Sequence, residues 1–179
     1  MNLKRNLLLA ALILCYVVGF AQNGYKHAAG LRLTTYVTYD FVAFSYKNFI
    51  AEKSALEFNF GYGGRNVFLP NSGGKTTYSP GISLTGSYQY HELIETPGNE
   101  NLHWFAGGGL TFFNLFSKNS AYEGLGAGLF GTAGIDYKFK ATPINVSVDW
   151  RPTVFLSLPA FFNSPIQIGT LGVAARYTF

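Results

Sequence analysis

From Leu171 to Phe179 the chain alternates without a break. Leu171, Val173, Ala175, Tyr177 and Phe179 fall on one side of a strand, and Gly172, Ala174, Arg176 and Thr178 on the other. Strand side chains repeat every two residues, so this is one apolar face backed by one small or polar face. The same period recurs upstream. It predicts eight strands, at about 29–37, 41–50, 54–64, 80–91, 102–113, 125–139, 144–155 and 167–179. Their lengths suit the roughly 9–11 residues of a tilted membrane strand. Pro, Gly, Asn and Ser gather between the segments, as turn chemistry requires. The expected fold is all-β: an eight-stranded antiparallel up-and-down transmembrane β-barrel. An even strand number puts both termini on the periplasmic side. Connections 51–53, 92–101 and 140–143 then lie there, and 38–40, 65–79, 114–124 and 156–165 lie outside.

Charge sharpens this picture. Arg32, Lys47, Glu57, Asp136, Lys138, Asp149, Arg151 and Arg176 all fall opposite the apolar face. The apolar face itself, from Leu31, Leu33 and Val37 through Phe44, Phe60, Leu84, Phe112, Leu129 and Val148, carries no charge. A Lys or Arg facing the bilayer midplane costs roughly 2–4 kcal/mol, which accounts for the exclusion. An eight-stranded barrel is just wide enough inside for side chains to fill it. The five bases and three acids are therefore expected to meet there as an ion-pair network that plugs the lumen. The alternative is a narrow pore, for small or hydrophobic molecules, in which these charges re-pair. Tyr46, Tyr88, Tyr90, Trp104, Tyr137, Phe139, Tyr177 and Phe179 cluster near the periplasmic strand ends, where an interfacial aromatic girdle belongs.

Composition agrees. Aromatic residues make up 17% of the chain and charged residues only 12%, about half the usual charged share. At the N-terminus, Lys4 and Arg5 precede an apolar run from Leu7 to Phe20, with Gly19 and Ala21 as small residues for cleavage. This predicts a signal peptide over residues 1–21, cut before Gln22, and a barrel domain over 22–179. The run is 14 residues, short of the roughly 20 of a membrane helix. Lipidation at Cys15 is disfavoured by Leu14 before it. Cleavage removes the only Cys and the only Met, which excludes disulfides, thiolate nucleophiles and Cys-based metal sites. The net charge of +4 falls to +2 without Lys4 and Arg5, too little to suggest nucleic acid.

Candidate chemistry is sparse. His27, His91 and His103 all fall at periplasmic strand ends. Barrel enzymes that modify lipid A need a His with a Ser and an acid at the outer-leaflet face, so that activity is disfavoured. His91 and His103 flank one turn beside Glu92, Glu95 and Glu100; solvated turn residues are the expectation, a weak metal site the alternative. Gly73-Gly74-Lys75-Thr76 ends like a phosphate-binding loop, yet Leu69 stands where that motif needs Gly, so a flexible outer loop is expected. No catalytic residue, cofactor or metal is assigned. In the outer loops, Arg65, Lys75 and Lys118 are placed to touch lipopolysaccharide phosphates. The apolar stretch 156–162, with Phe161 and Phe162, is expected to dip into the outer leaflet or to form the mouth of a hydrophobic site.

Several stretches resemble the small outer-membrane β-barrel family, with the fold of the OmpA transmembrane domain. They are Ser45-Tyr46-Lys47, Glu52 to Glu57, Gly86 to His91, Tyr137-Lys138-Phe139, Val148 to Pro152 and Arg176 to Phe179. The resemblance implies export to the outer membrane of a Gram-negative bacterium and insertion by the barrel assembly machinery, which reads a C-terminal signal here centred on Tyr177 and Phe179. It also implies a monomer among outer-membrane lipids and lipopolysaccharide, and it supplies no activity to carry over. The expectation is a non-enzymatic envelope or surface-interaction protein.

Overall fold

The computed structural model describes residues 25–179 apart from 36, 38, 69–74, 96–100, 161 and 163. The expected signal peptide, Gly73-Gly74 and Phe161 lie outside the described residues. Ten strands form eight staves. They are β1 (His27–Thr34), β2 (Val42–Ala51), β3 (Ser54–Phe68), β4 (Thr76–Leu93), β5 (Leu102–Leu115) and β6 (Gly124–Lys138). The seventh stave is β7 (Ile144–Trp150) continued by β8 (Thr153–Ser157), and the eighth is β9 (Ile166–Gln167) continued by β10 (Leu171–Thr178). Pro152 breaks the seventh stave because it has no N–H for a ladder. Its carbonyl still accepts from Gly131 N at 3.0 Å, and Arg151 N donates to Thr170 O at 2.9 Å.

Every neighbouring pair is antiparallel, and the sheet closes on itself where β1 pairs with both β2 and β10. His27 and Phe179 exchange backbone hydrogen bonds of 3.0 and 2.8 Å, so the last residue is pinned to the first strand. We call this the terminal end and its opposite the far end. The far rim is uneven. The β3–β4 ladder runs on to Phe68↔Thr76, so the expected outer loop 65–79 is largely a projecting hairpin. The β1–β10 ladder stops at Thr34↔Gly172. Beyond it Tyr39 and Asp40 are buried, and Val37, expected on the apolar exterior, packs instead on an interior cluster of Tyr39, Phe113, Leu115 and Phe155.

Elsewhere the period-two pattern sorts the faces. Leu31, Phe44, Phe60, Leu84 and Phe112 are successive cross-strand partners on five adjacent strands. All are 54–59% exposed. Inside, Arg32, Lys47, Glu57 and Arg176 are at most 1% exposed. The protein is thus apolar outside and ionic inside, the reverse of a water-soluble barrel. At the terminal end the rings form the expected band, with Tyr137 against Phe139 at 4.9 Å and Tyr90 near Trp104 at 6.4 Å.

Small residues make room for the large inward ones. Arg32 is paired in register with Ala43 and Ala174, and a Cβ on Gly172 would land on its guanidinium. Likewise a Cβ on Gly126 would strike the Phe113 ring. Gly172→Val should therefore destabilise the barrel by about 1–3 kcal/mol, the usual range for overpacking. Urea unfolding in detergent micelles measures it, and an unchanged midpoint would show that Arg32 has another place to go.

Candidate functional site

The centre of the lumen is Glu57. Register places it beside Lys47 on β2 and Ser87 on β4. Its Oε1 meets Arg151 at 2.6 Å, and its Oε2 meets Arg176 at 3.0 Å and Lys47 at 3.7 Å. Gln89 and Asn59 also donate to it, at 3.0 and 3.1 Å. Toward the terminal end, Lys47 continues to Asp136 at 2.9 Å, which also accepts from Asn145 and, at 3.4 Å, from the Tyr25 hydroxyl. Toward the far end, Arg151 reaches Asp149 at 2.8 Å and Asp149 reaches Arg32 at 2.5 Å. Arg176 is steadied by Ser45 and Ser147, at 2.9 and 2.8 Å. The result is one unbroken chain of alternating charge, Asp136–Lys47–Glu57–Arg151–Asp149–Arg32, with Arg176 as a branch.

Seven of the eight residues expected in the lumen network meet in this chain. Lys138 does not. It sits at the end of β6, and its Nζ donates outside the network, to the carbonyls of Phe139 and Thr142, at 2.9 Å each. One more residue in the lumen would have left its ammonium without water or an acid, whereas at the rim it keeps both solvent and carbonyls. Asn59, Gln89 and Asn145 were legible as positions on the polar face but carry no charge to draw notice. Two rings also escaped the charge pattern: Phe105 lies 4.8 Å from Lys47 Nζ, and Phe130 lies 5.3 Å from the Arg151 guanidinium. Both point inward, and each gives a cation an aromatic face.

Rings gather at both ends of the lumen. At the terminal end His91 is buried between Phe49 and Phe105, at 4.9 and 5.0 Å, with its Nε2 3.2 Å from Gln89. It is therefore not the solvated turn residue expected, because its place two residues after Gln89 keeps it on the inner face. His27 bonds Tyr46 at 2.8 Å, and His103 is half-buried. Among the described residues, no group of three His, Cys, Asp or Glu is placed to hold a metal. At the far end Tyr39 stacks on Phe113 at 3.9 Å, almost parallel. Phe162 lies 6.3 Å from both Phe113 and Phe155. It packs over the lumen and does not reach out into lipid, because the cluster beneath it offers an apolar seat.

Surface candidates remain at the rims. Arg65, Lys75 and Lys118 are exposed at the far end, Arg65 over the Tyr122 ring at 5.9 Å. Tyr177 and Phe179 face outward at the terminal end, 36% and 39% exposed. At the same end, in the turn between β2 and β3, Lys53 meets Glu92 at 2.7 Å, and that hydrogen bond raises the Lys53 ammonium above its ordinary value.

No protein-family model matches the chain, and no curated protein matches it in sequence. Among solved structures it is similar to Ail, the attachment invasion locus protein of Yersinia pestis. That match is 13% identical, with a TM-score of 0.45, and covers 87% of this chain and 100% of the other. The likeness is too distant to bear on function.

Removing one partner from a buried ion pair leaves an uncompensated charge, which costs about 3–5 kcal/mol. Glu57→Ala strips the common partner of three bases and should lose at least that much. Lys53→Ala, whose pair is exposed to water, should leave stability unchanged. Urea midpoints for the two variants decide it; equal losses would mean that the lumen network carries no more weight than a surface pair.

Proposed function

We propose that this chain is an integral outer-membrane β-barrel of a Gram-negative envelope, closed along its lumen and without catalytic activity. The observation that carries this reading is the inversion of the fold: a charged, paired interior beneath an uncharged apolar exterior. Such an exterior is stable only against lipid, and a closed barrel satisfies the backbone groups that lipid cannot. The aromatic band at the terminal end fits a membrane interface. Its outward Tyr177 and Phe179 are available to the assembly machinery. Function then lies in the envelope itself or at the far rim, where Arg65, Lys75 and Lys118 suit the phosphates of lipopolysaccharide. His27, His91 and His103 lie at the terminal end, remote from that rim, which favours a non-catalytic role. The barrel acts as a monomer in this reading.

Two measurements test it. Purified protein, shown to be folded, should give no discrete single-channel openings in a planar bilayer, because charge pairs and ring clusters occupy the lumen. Stable openings would replace the closed barrel with a narrow channel. Leu84→Arg, in the middle of the exposed apolar row, should cost roughly 2–4 kcal/mol on insertion into lipid vesicles. A negligible cost would remove that face from the bilayer.

A further inference from the structure

Asp40 was expected in an outer connection, yet between β1 and β2 it is only 6% exposed. A Cβ on Gly61, an inward position of β3, would collide with Asp40 Oδ1 and with Ser83 Oγ of β4. The carboxyl is therefore seated against the inner wall, beside that hydroxyl. Neither oxygen has a hydrogen-bond partner among the described residues.

The other buried acids are placed differently. Glu57, Asp136 and Asp149 each touch a base, at 2.6, 2.9 and 2.5 Å. Asp40 touches none among the described residues. Arg32 of β1 and Arg151, between β7 and β8, attract it from a distance. Both are already engaged with Asp149, and Arg151 with Glu57 as well. Those two acids, on β7 and β3, repel it. Tyr39, which precedes it, is a phenol whose pKa burial pushes up. A buried carboxylate without a partner is costly, and such a group takes a proton instead. Burial accordingly raises the Asp40 carboxyl above its ordinary value, against the pull of Arg32 and Arg151.

We propose that Asp40 is a proton-binding site at the far end: the folded barrel holds it as the neutral acid beside Ser83, and that end gains stability as the pH falls. The acid's O–H is then a donor next to the otherwise unpartnered Ser83 oxygen. With Asp40 neutral, the buried bases Arg32, Lys47, Arg151 and Arg176 face the three acids Glu57, Asp136 and Asp149. Phe105 and Phe130 meet that excess, offering an aromatic face to Lys47 and Arg151,. Folding raises the proton affinity of Asp40. Its contribution is therefore complete below the unfolded pKa of about 4 and is lost as the pH rises through the higher folded value.

Asp40→Asn keeps the shape of the neutral acid and cannot ionise. Full-length wild-type and variant proteins are refolded in detergent micelles and unfolded in urea from about pH 4 to 8, so that acids common to both cancel in the difference. The variant's midpoint should climb relative to wild type as the pH rises, then level off. The ratio of the two folding constants should change about tenfold for each unit between the folded and unfolded pKa. A difference independent of pH overturns the proposal. So does a wild type that gains on the variant as the pH rises, which would mean that Arg32 and Arg151 hold a carboxylate there. If Asp40→Asn refolds too poorly to measure, infrared spectra of the folded wild type decide. A protonated-carboxyl band that persists where exposed carboxyls, of pKa about 4, have ionised supports the site; the other buried acids, each against a base, give no such band. A band lost together with that of the exposed carboxyls overturns it.

Discussion

Closing eight staves into a barrel leaves an interior just wide enough for side chains to fill, and each charge buried there must find its partner among the other strands. Glu57 shows how tightly this binds the structure together. Its carboxylate takes Lys47 from β2, Arg176 from β10 and Arg151 from the break between β7 and β8, so one side chain ties three distant parts of the sheet. Register follows from the same demand. A shift of one residue would turn Glu57 or Arg176 toward the exterior and leave its partners stranded. Charge pairing here does what apolar packing does in a water-soluble protein, and it specifies which strands lie across the lumen from one another.

The two ends solve a different problem. At the middle of the lumen, ions neutralise ions; at the mouths, charges would face water and lose their partners. Rings take over at both. His91 lies between Phe49 and Phe105 at one end, and Tyr39, Phe113 and Phe155 gather at the other. The charges between them are buried, and in a medium of low dielectric each pair is stronger than in water. Inward glycines such as Gly126, where a side chain would meet the Phe113 ring, are the complement of that design. Gly109 and Gly134 likewise leave room for the rings of Phe130 and Phe105.

Much of this was legible along the chain, and what was missed shares a cause. Period-two alternation placed eight staves and put Arg32, Lys47, Glu57, Asp136, Asp149, Arg151 and Arg176 on one face, because alternation is a local consequence of strand geometry. The same rule put Lys138 inside; it failed where the strand runs out and the side chain turns to carbonyls in its own turn. Val37 and Asp40 failed for a related reason. Alternation was extended past Thr34, where no partner strand continues, and the path of the chain is then set by cavities that other strands leave. Gly61, where a Cβ would meet the Asp40 carboxylate, and Gly81, where one would approach the Tyr39 backbone, are local traces of that path. A glycine on an inward position gives no sign of which residue will occupy the space it leaves.

That distinction also separates the barrel from its function. Staves and lumen obey constraints that many sequences meet, so they point to a membrane and to closure without naming a role. The far rim obeys fewer. There the β3–β4 hairpin projects, Tyr39 and Asp40 between β1 and β2 are buried, and Phe162 packs on an aromatic cluster whose members come from three separate connections and strands. Each departs from the plain up-and-down pattern, and each needs particular residues to hold it: Gly61 for Asp40, Phe113 for Tyr39, Phe155 for Phe162. Residues spent on departures of this kind do nothing for closure of the barrel, which the strand ladders already secure from β1 round to β10. Specificity in this protein therefore resides where the repeating pattern is broken, and the inward fold of Tyr39 and Asp40 is the break most closely fitted to its surroundings.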